Sequence, residues 1–130
     1  MTIDPDVKSL LDGKNFAALS TLMPGGQPQT QIMWVDGDGD HVVVNTEVAR
    51  QKYRNIEADP RVTITVFDAA SPYRYAEVRG RVTETVGGDE ARAHIDALSE
   101  KYTGGPYQGQ IGSDRVIVKI TPDKVHKWGF

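Results

Sequence analysis

Hydrophobic and polar positions change period several times along this chain, and each change predicts an element. Val7, Leu10 and Leu11 fall at helical spacing between Asp4 and Gly13, which predicts a short opening helix. Asn15 to Leu22 alternates weakly and ends in Met23-Pro24-Gly25-Gly26, a turn signal, so Pro28 to Val35 reads as the returning strand of a hairpin. Asp36-Gly37-Asp38-Gly39-Asp40 predicts a second tight turn; it lacks the later glutamate of a calcium loop. His41 to Asn45 is a third strand whose valine run implies burial on both faces. Thr46 reads as the cap of a helix from about Val48 to Ala58, stopped by Asp59-Pro60. Arg61 to Phe67 alternates cleanly, and Tyr73 to Val86 is a long strand with a bulge or kink expected at Gly80. Asp89 to Tyr102 is helical with an acidic first turn, and residues 103–113 form a loop rich in glycine. Arg115 to Thr121 is the last strand, and Asp123 to Phe130 a tail.

These elements make a mostly β protein with short helices, six strands in all, connected in a way that favours an antiparallel sheet. So few helices cannot cover an open sheet, so closure into a barrel is the simplest way to bury the strands and protect their edges. A length of 130 residues fits one domain, residues 1–130. Hydrophobic residues at 38% and charged residues at 25% suit a soluble globular chain. No apolar run is long enough to span a bilayer and no signal region opens the sequence, so a cytoplasmic location with no membrane partner is expected. The absence of cysteine removes disulfides, thiolate metal sites and cysteine nucleophiles, and His41, His94 and His126 lack metal-ligand spacing. A net charge of −3 argues against nucleic acid as a partner.

One segment carries a chemical signal. In Asn45-Thr46-Glu47-Val48-Ala49-Arg50-Gln51-Lys52-Tyr53-Arg54 a buried strand runs into a helix start, and three cations stand where the helix dipole is already positive. An anion held by the free N–H groups, Arg50 and Lys52 resolves the conflict, and phosphate is the usual one. A solvated helix whose cations are balanced by Glu47 and Glu57 is the alternative. On the strand from Tyr73, alternation puts Tyr73, Tyr75, Glu77, Arg79 and Arg81 on one face. Tyrosine beside arginine suits a planar anionic ligand, and equally a subunit interface or a wet strand face. Gln29, Gln31 and Met33 share one face of the second strand, where glutamines are explained by a polar cavity; Trp34, on the other face, is expected in the core.

The string from Gly26 to Gly80 resembles the pyridoxamine-phosphate-oxidase-like split β-barrels, and within them the flavin/deazaflavin oxidoreductases that use coenzyme F420. The resemblance lies in Gly26-Gln27-Pro28-Gln29, Arg50-Gln51-Lys52-Tyr53-Arg54-Asn55, Asp59-Pro60-Arg61-Val62, and Pro72-Tyr73-Arg74-Tyr75 followed by Val78-Arg79-Gly80. It implies a six-stranded split barrel, a homodimer with cofactor sites between subunits, and hydride transfer from reduced F420 to an unsaturated small molecule. It places Arg50 and Lys52 on the cofactor phosphate, Gln29, Gln31 and Met33 along the tricyclic ring, and Asn45 and Thr46 beside the ribityl chain. Tyr73 and Arg79 fall near the ring or the tail. The ending Lys124-Val125-His126-Lys127-Trp128-Gly129-Phe130 lacks the arginine-rich substrate motif of vitamin B6 oxidases. FMN in place of F420, a non-catalytic cofactor carrier and a cofactor-free dimer remain the alternatives, and no acid or base stands out.

Overall fold

The computed structural model describes residues 2–130. Helix α1 (Pro5–Asp12) begins at Asp4, whose carboxylate accepts the Asp6 N–H at 2.8 Å, and it buries Val7, Leu10 and Leu11. Strands β1 (Phe16–Leu22) and β2 (Pro28–Trp34) form the first hairpin, turned where Gly26 takes a positive φ. The chain continues through β3 (Asp36–Gly37), β4 (Val42–Glu47), α2 (Gln51–Ala58), β5 (Arg61–Phe67), β6 (Tyr75–Val86), α3 (Gly88–Thr103) and β7 (Arg115–Trp128). No described helix is long and apolar enough to cross a membrane.

All strands pair antiparallel in one seven-stranded sheet of order β2-β1-β5-β6-β7-β4-β3. The expected six strands become seven because Asp36 and Gly37 do not belong to the turn. They pair with Val43 and Val42 as a short edge strand. Only Val35, fully buried, separates β2 from β3, although the two lie on opposite edges of the sheet. One bent strand therefore joins both edges, and the sheet must curl into a half-barrel. β2 and β4 approach without pairing, which leaves a cleft between them.

Inside the curl, Ala17, Leu19, Val42, Val44, Ile64, Val66, Val78, Val118 and Ile120 pack with α1 into the main core. On the outer side α3 covers Val43 and Ile117 through Ala91. That second layer is why the valines of β4 are buried on both faces, as their run predicts. A bulge falls at Gly80, where the register of β6 against β7 shifts and a Cβ would collide with the carbonyl oxygen of Thr121.

Three boundaries differ from the sequence expectation. Thr46 does not cap α2: it is a buried strand residue, and the helix starts at Gln51 with Arg50 as its N-cap. The tail is not a tail, because β7 runs on to Trp128; its Pro122 sits opposite Gly80 at the bulge, where a missing N–H is tolerated. β6 begins at Tyr75, so Tyr73 stands in the preceding turn rather than on the strand.

Candidate functional site

The cleft between β2 and β4 has a volume of about 390 Å³ and two unlike ends. Its apolar wall comes from Phe16, Ile32, Met33 and Trp34, with Ile95 and Leu98 of α3 behind. Its polar end carries Asn45, Thr46, Arg50, Lys52 and Arg115.

The wall is rigid for a physical reason. Trp34 lies flat on Tyr102, ring centroids 5.1 Å apart and planes 4° from parallel, and Tyr107 meets its indole edge-on at 6.3 Å. Tyr102 is itself anchored: its hydroxyl accepts the Val35 N–H at 3.1 Å and donates to the Asn15 carbonyl. Trp34 is thus a cleft residue and not the core residue its strand face suggests. Ile32 is 63% exposed beside it. An exposed apolar side chain next to a fixed aromatic plane is a surface that gains from covering by a flat ligand.

At the polar end, antiparallel pairing of β4 with β7 sets Glu47 opposite Arg115. The buried Glu47 carboxylate accepts from the N–H groups of Gly112 (2.8 Å) and Ser113 (2.7 Å), from the Ser113 hydroxyl, from Arg50 Nη2 (3.0 Å) and from Arg115 Nη1 (3.3 Å). Burial works to raise its pKa; the Ser113 and Gly112 amides, Arg50 and the Ser113 hydroxyl outweigh it and hold the carboxyl below its ordinary value. Arg115 is buried, gives Nε to Asn45 Oδ1 at 2.8 Å and faces the Tyr107 ring at 5.4 Å. Burial is the main reason its pKa falls.

Lys52 has no such support. It makes no ion pair or side-chain hydrogen bond among the described residues, and burial, then repulsion from Arg50 and Arg115, lowers its pKa. The α2 N-terminus beside it has no side-chain cap. Arg50 and Arg115 therefore share one carboxylate, and the unmatched charge of Lys52 stands at a helix start. The arrangement can hold an anionic group at one end and a planar ring at the other. It thereby fits a phosphate-bearing flavin-type cofactor.

The structure brings Met33, Asn45, Thr46, Arg50 and Lys52 together around this cleft. It does not bring the other four. Gln29 is half-buried and accepts from Asn55 Nδ2 at 3.4 Å, and Gln31 is exposed on β2. Tyr73 is 81% exposed, and Arg79 pairs with Glu77 on β6 at 2.9 Å. Asn45 is also fully engaged within the protein, by Ala91, His94 and Arg115. Sequence reading missed Arg115, Tyr107 and the role of Glu47. Nothing local marks Arg115 or Tyr107; Glu47 offered one sign, a lone acid just before a cationic helix start.

Residues 3–129 match the family described as pyridoxamine 5'-phosphate oxidase. A solved structure named F420 reductase is 36% identical, with a TM-score of 0.82 over 95% of this chain and 98% of that one. The conserved hypothetical protein Rv2991 from Mycobacterium tuberculosis is 25% identical, with a TM-score of 0.77 over 98% of this chain and 85% of that one. General Stress Protein 26 from Bacillus anthracis shares the fold at 18% identity, with a TM-score of 0.71 over 95% and 91% of the two chains. No curated protein matches the sequence.

Proposed function

We propose that this chain, which belongs to the pyridoxamine 5'-phosphate oxidase family, is a cytoplasmic, homodimeric, F420-dependent oxidoreductase acting on an unsaturated small molecule. The observation that carries the reading is Lys52: a partly buried cation without a counter-ion among the described residues, beside Arg50 and an uncapped helix start. Likeness at 36% identity to a protein named F420 reductase supports the choice of cofactor.

When bound, the reduced cofactor supplies the hydride, and the protein supplies position and shielding. Arg50, Lys52 and the first-turn N–H groups of α2 would hold its phosphate. Trp34 and Ile32, with Met33 beside them in the cleft lining, would hold the ring, and the loop bearing Tyr107, pinned by Glu47, would limit water. Within one subunit Tyr73 and Arg79 stand outside the cleft, so they serve a cofactor only where a second subunit presents them to its partner. FMN, which also carries a phosphate on a ribityl arm, is the alternative cofactor.

Reduced F420 mixed with the protein and a panel of activated alkenes, enones and quinones tests the reading through the absorbance of the oxidised deazaflavin. Oxidation that depends on one acceptor class is the expected result. Tight F420 binding with no turnover on any acceptor identifies a cofactor carrier instead.

A further inference from the structure

From the polar end of the cleft a buried polar chain runs back through Asn45 to His94. Asn45 Nδ2 donates to the Ala91 carbonyl at 3.0 Å and lies 3.0 Å from His94 Nδ1, while Asn45 Oδ1 accepts Arg115 Nε at 2.8 Å. A carbonyl only accepts and a guanidinium only donates, so the amide is oriented from two independent sides. Its second N–H therefore points at His94 Nδ1, which must accept. The ring proton then sits on Nε2, which is buried without a hydrogen-bond partner among the described residues and has Asp36 Oδ2 at 3.5 Å.

We propose that His94 is a positioning residue of the cleft: in its neutral form it holds the Asn45 amide, and through that amide it fixes the Arg115 guanidinium, so that protonating His94 loosens the cation. A protonated Nδ1 sets a donor against a donor. Turning the amide does not help, because its oxygen then faces the Ala91 carbonyl and its NH2 faces Arg115 Nε. Either arrangement breaks a contact that neutral His94 permits. The charged groups on the packed elements are Asp36 on β3, 3.5 Å from His94 Nε2, Arg115 on β7, on the far side of the Asn45 amide, and Lys101 on α3, whose charge acts on Asp36.

The relay rests on the proposed anion-binding role of the cleft only for its affinity readout. In the unliganded full chain, NMR follows the His94 ring, the Asn45 side-chain amide and Arg115 Nε–H from about pH 8 to about pH 5, across the ordinary histidine range. The Asn45 and Arg115 signals are expected to move with the His94 midpoint, and to lose that dependence in His94→Gln, whose amide oxygen still accepts from Asn45. The F420 affinity of wild type relative to His94→Gln is expected to fall about tenfold across the same range, the scale of one broken buried hydrogen bond. Flat Asn45 and Arg115 signals in wild type, or one affinity profile shared by both proteins, overturns the proposal. If neither protein binds F420 or FMN, the proposed cofactor is wrong, and the NMR titration alone decides the relay.

Discussion

The carboxylate of Glu47, at the end of β4, accepts the backbone N–H of Ser113 at 2.7 Å and so ties the loop before β7 to that strand end. The same carboxylate holds Arg50 and Arg115, so one side chain organises both the cations and the loop. Glu47→Ala leaves two amides without their acceptor and a buried guanidinium without its counter-ion. A loss of about 3 kcal/mol is expected in urea unfolding, the scale for removing one partner of a buried pair. Hydrogen exchange at Gly112 and Ser113 should rise with it.

The lowered pKa of Glu47 also fixes the sign of a pH effect. A carboxyl whose folded pKa lies below its unfolded value contributes stability that is complete above the unfolded value, near 4.5, and disappears as pH falls through the folded one. Unfolding midpoints should therefore drop below about pH 4.5 more steeply in wild type than in Glu47→Gln. Parallel profiles for the two proteins would remove Glu47 from that role.

Lys52 separates binding from folding. Its charge is repelled by Arg50 and Arg115 and paired with none of the described residues, so Lys52→Met should leave the unliganded protein as stable as wild type or slightly more so. Cofactor binding should weaken by about 1.5–3 kcal/mol, the range for a charged hydrogen bond, and by a few kcal/mol when Arg50→Ala is added. Denaturation curves and fluorescence titrations of the same preparations give both numbers.

Gly80 allows β6 and β7 to touch at their bulge. Gly80→Ala drives a methyl group into the Thr121 carbonyl, which is backbone and cannot swing away. Destabilisation of about 1–3 kcal/mol is expected from chemical denaturation, as for overpacked sites.

Much of this architecture is written in local pattern. The clean alternation of Arg61 to Phe67 gives β5 with its observed ends, and Gly80 marks the bulge that the register shift records. Most of what failed shared a cause, a deciding partner far along the chain, although Asp36 and Gly37 pair with the nearby Val43 and Val42. Asp36 and Gly37 look like a turn until β4 offers them an edge to pair with, and Pro122 looks like a strand end until the Gly80 bulge receives it. Thr46 resembles a cap, yet β7 holds it in the sheet opposite Val116. The cations of the site were legible because Arg50 and Lys52 conflict with a helix start nearby in sequence. Arg115 was not, since it reaches the cleft only through a pairing with Glu47, 68 residues away.

The most direct measurement of the central claim is a pair of fluorescence titrations of the purified protein, one with F420 and one with FMN, with light scattering on the same samples. Saturable, preferential binding of F420 by a dimer, lost in the Arg50→Ala, Lys52→Ala variant while the fold persists, is the result predicted. Binding of neither cofactor, or undiminished binding by the double variant, contradicts it.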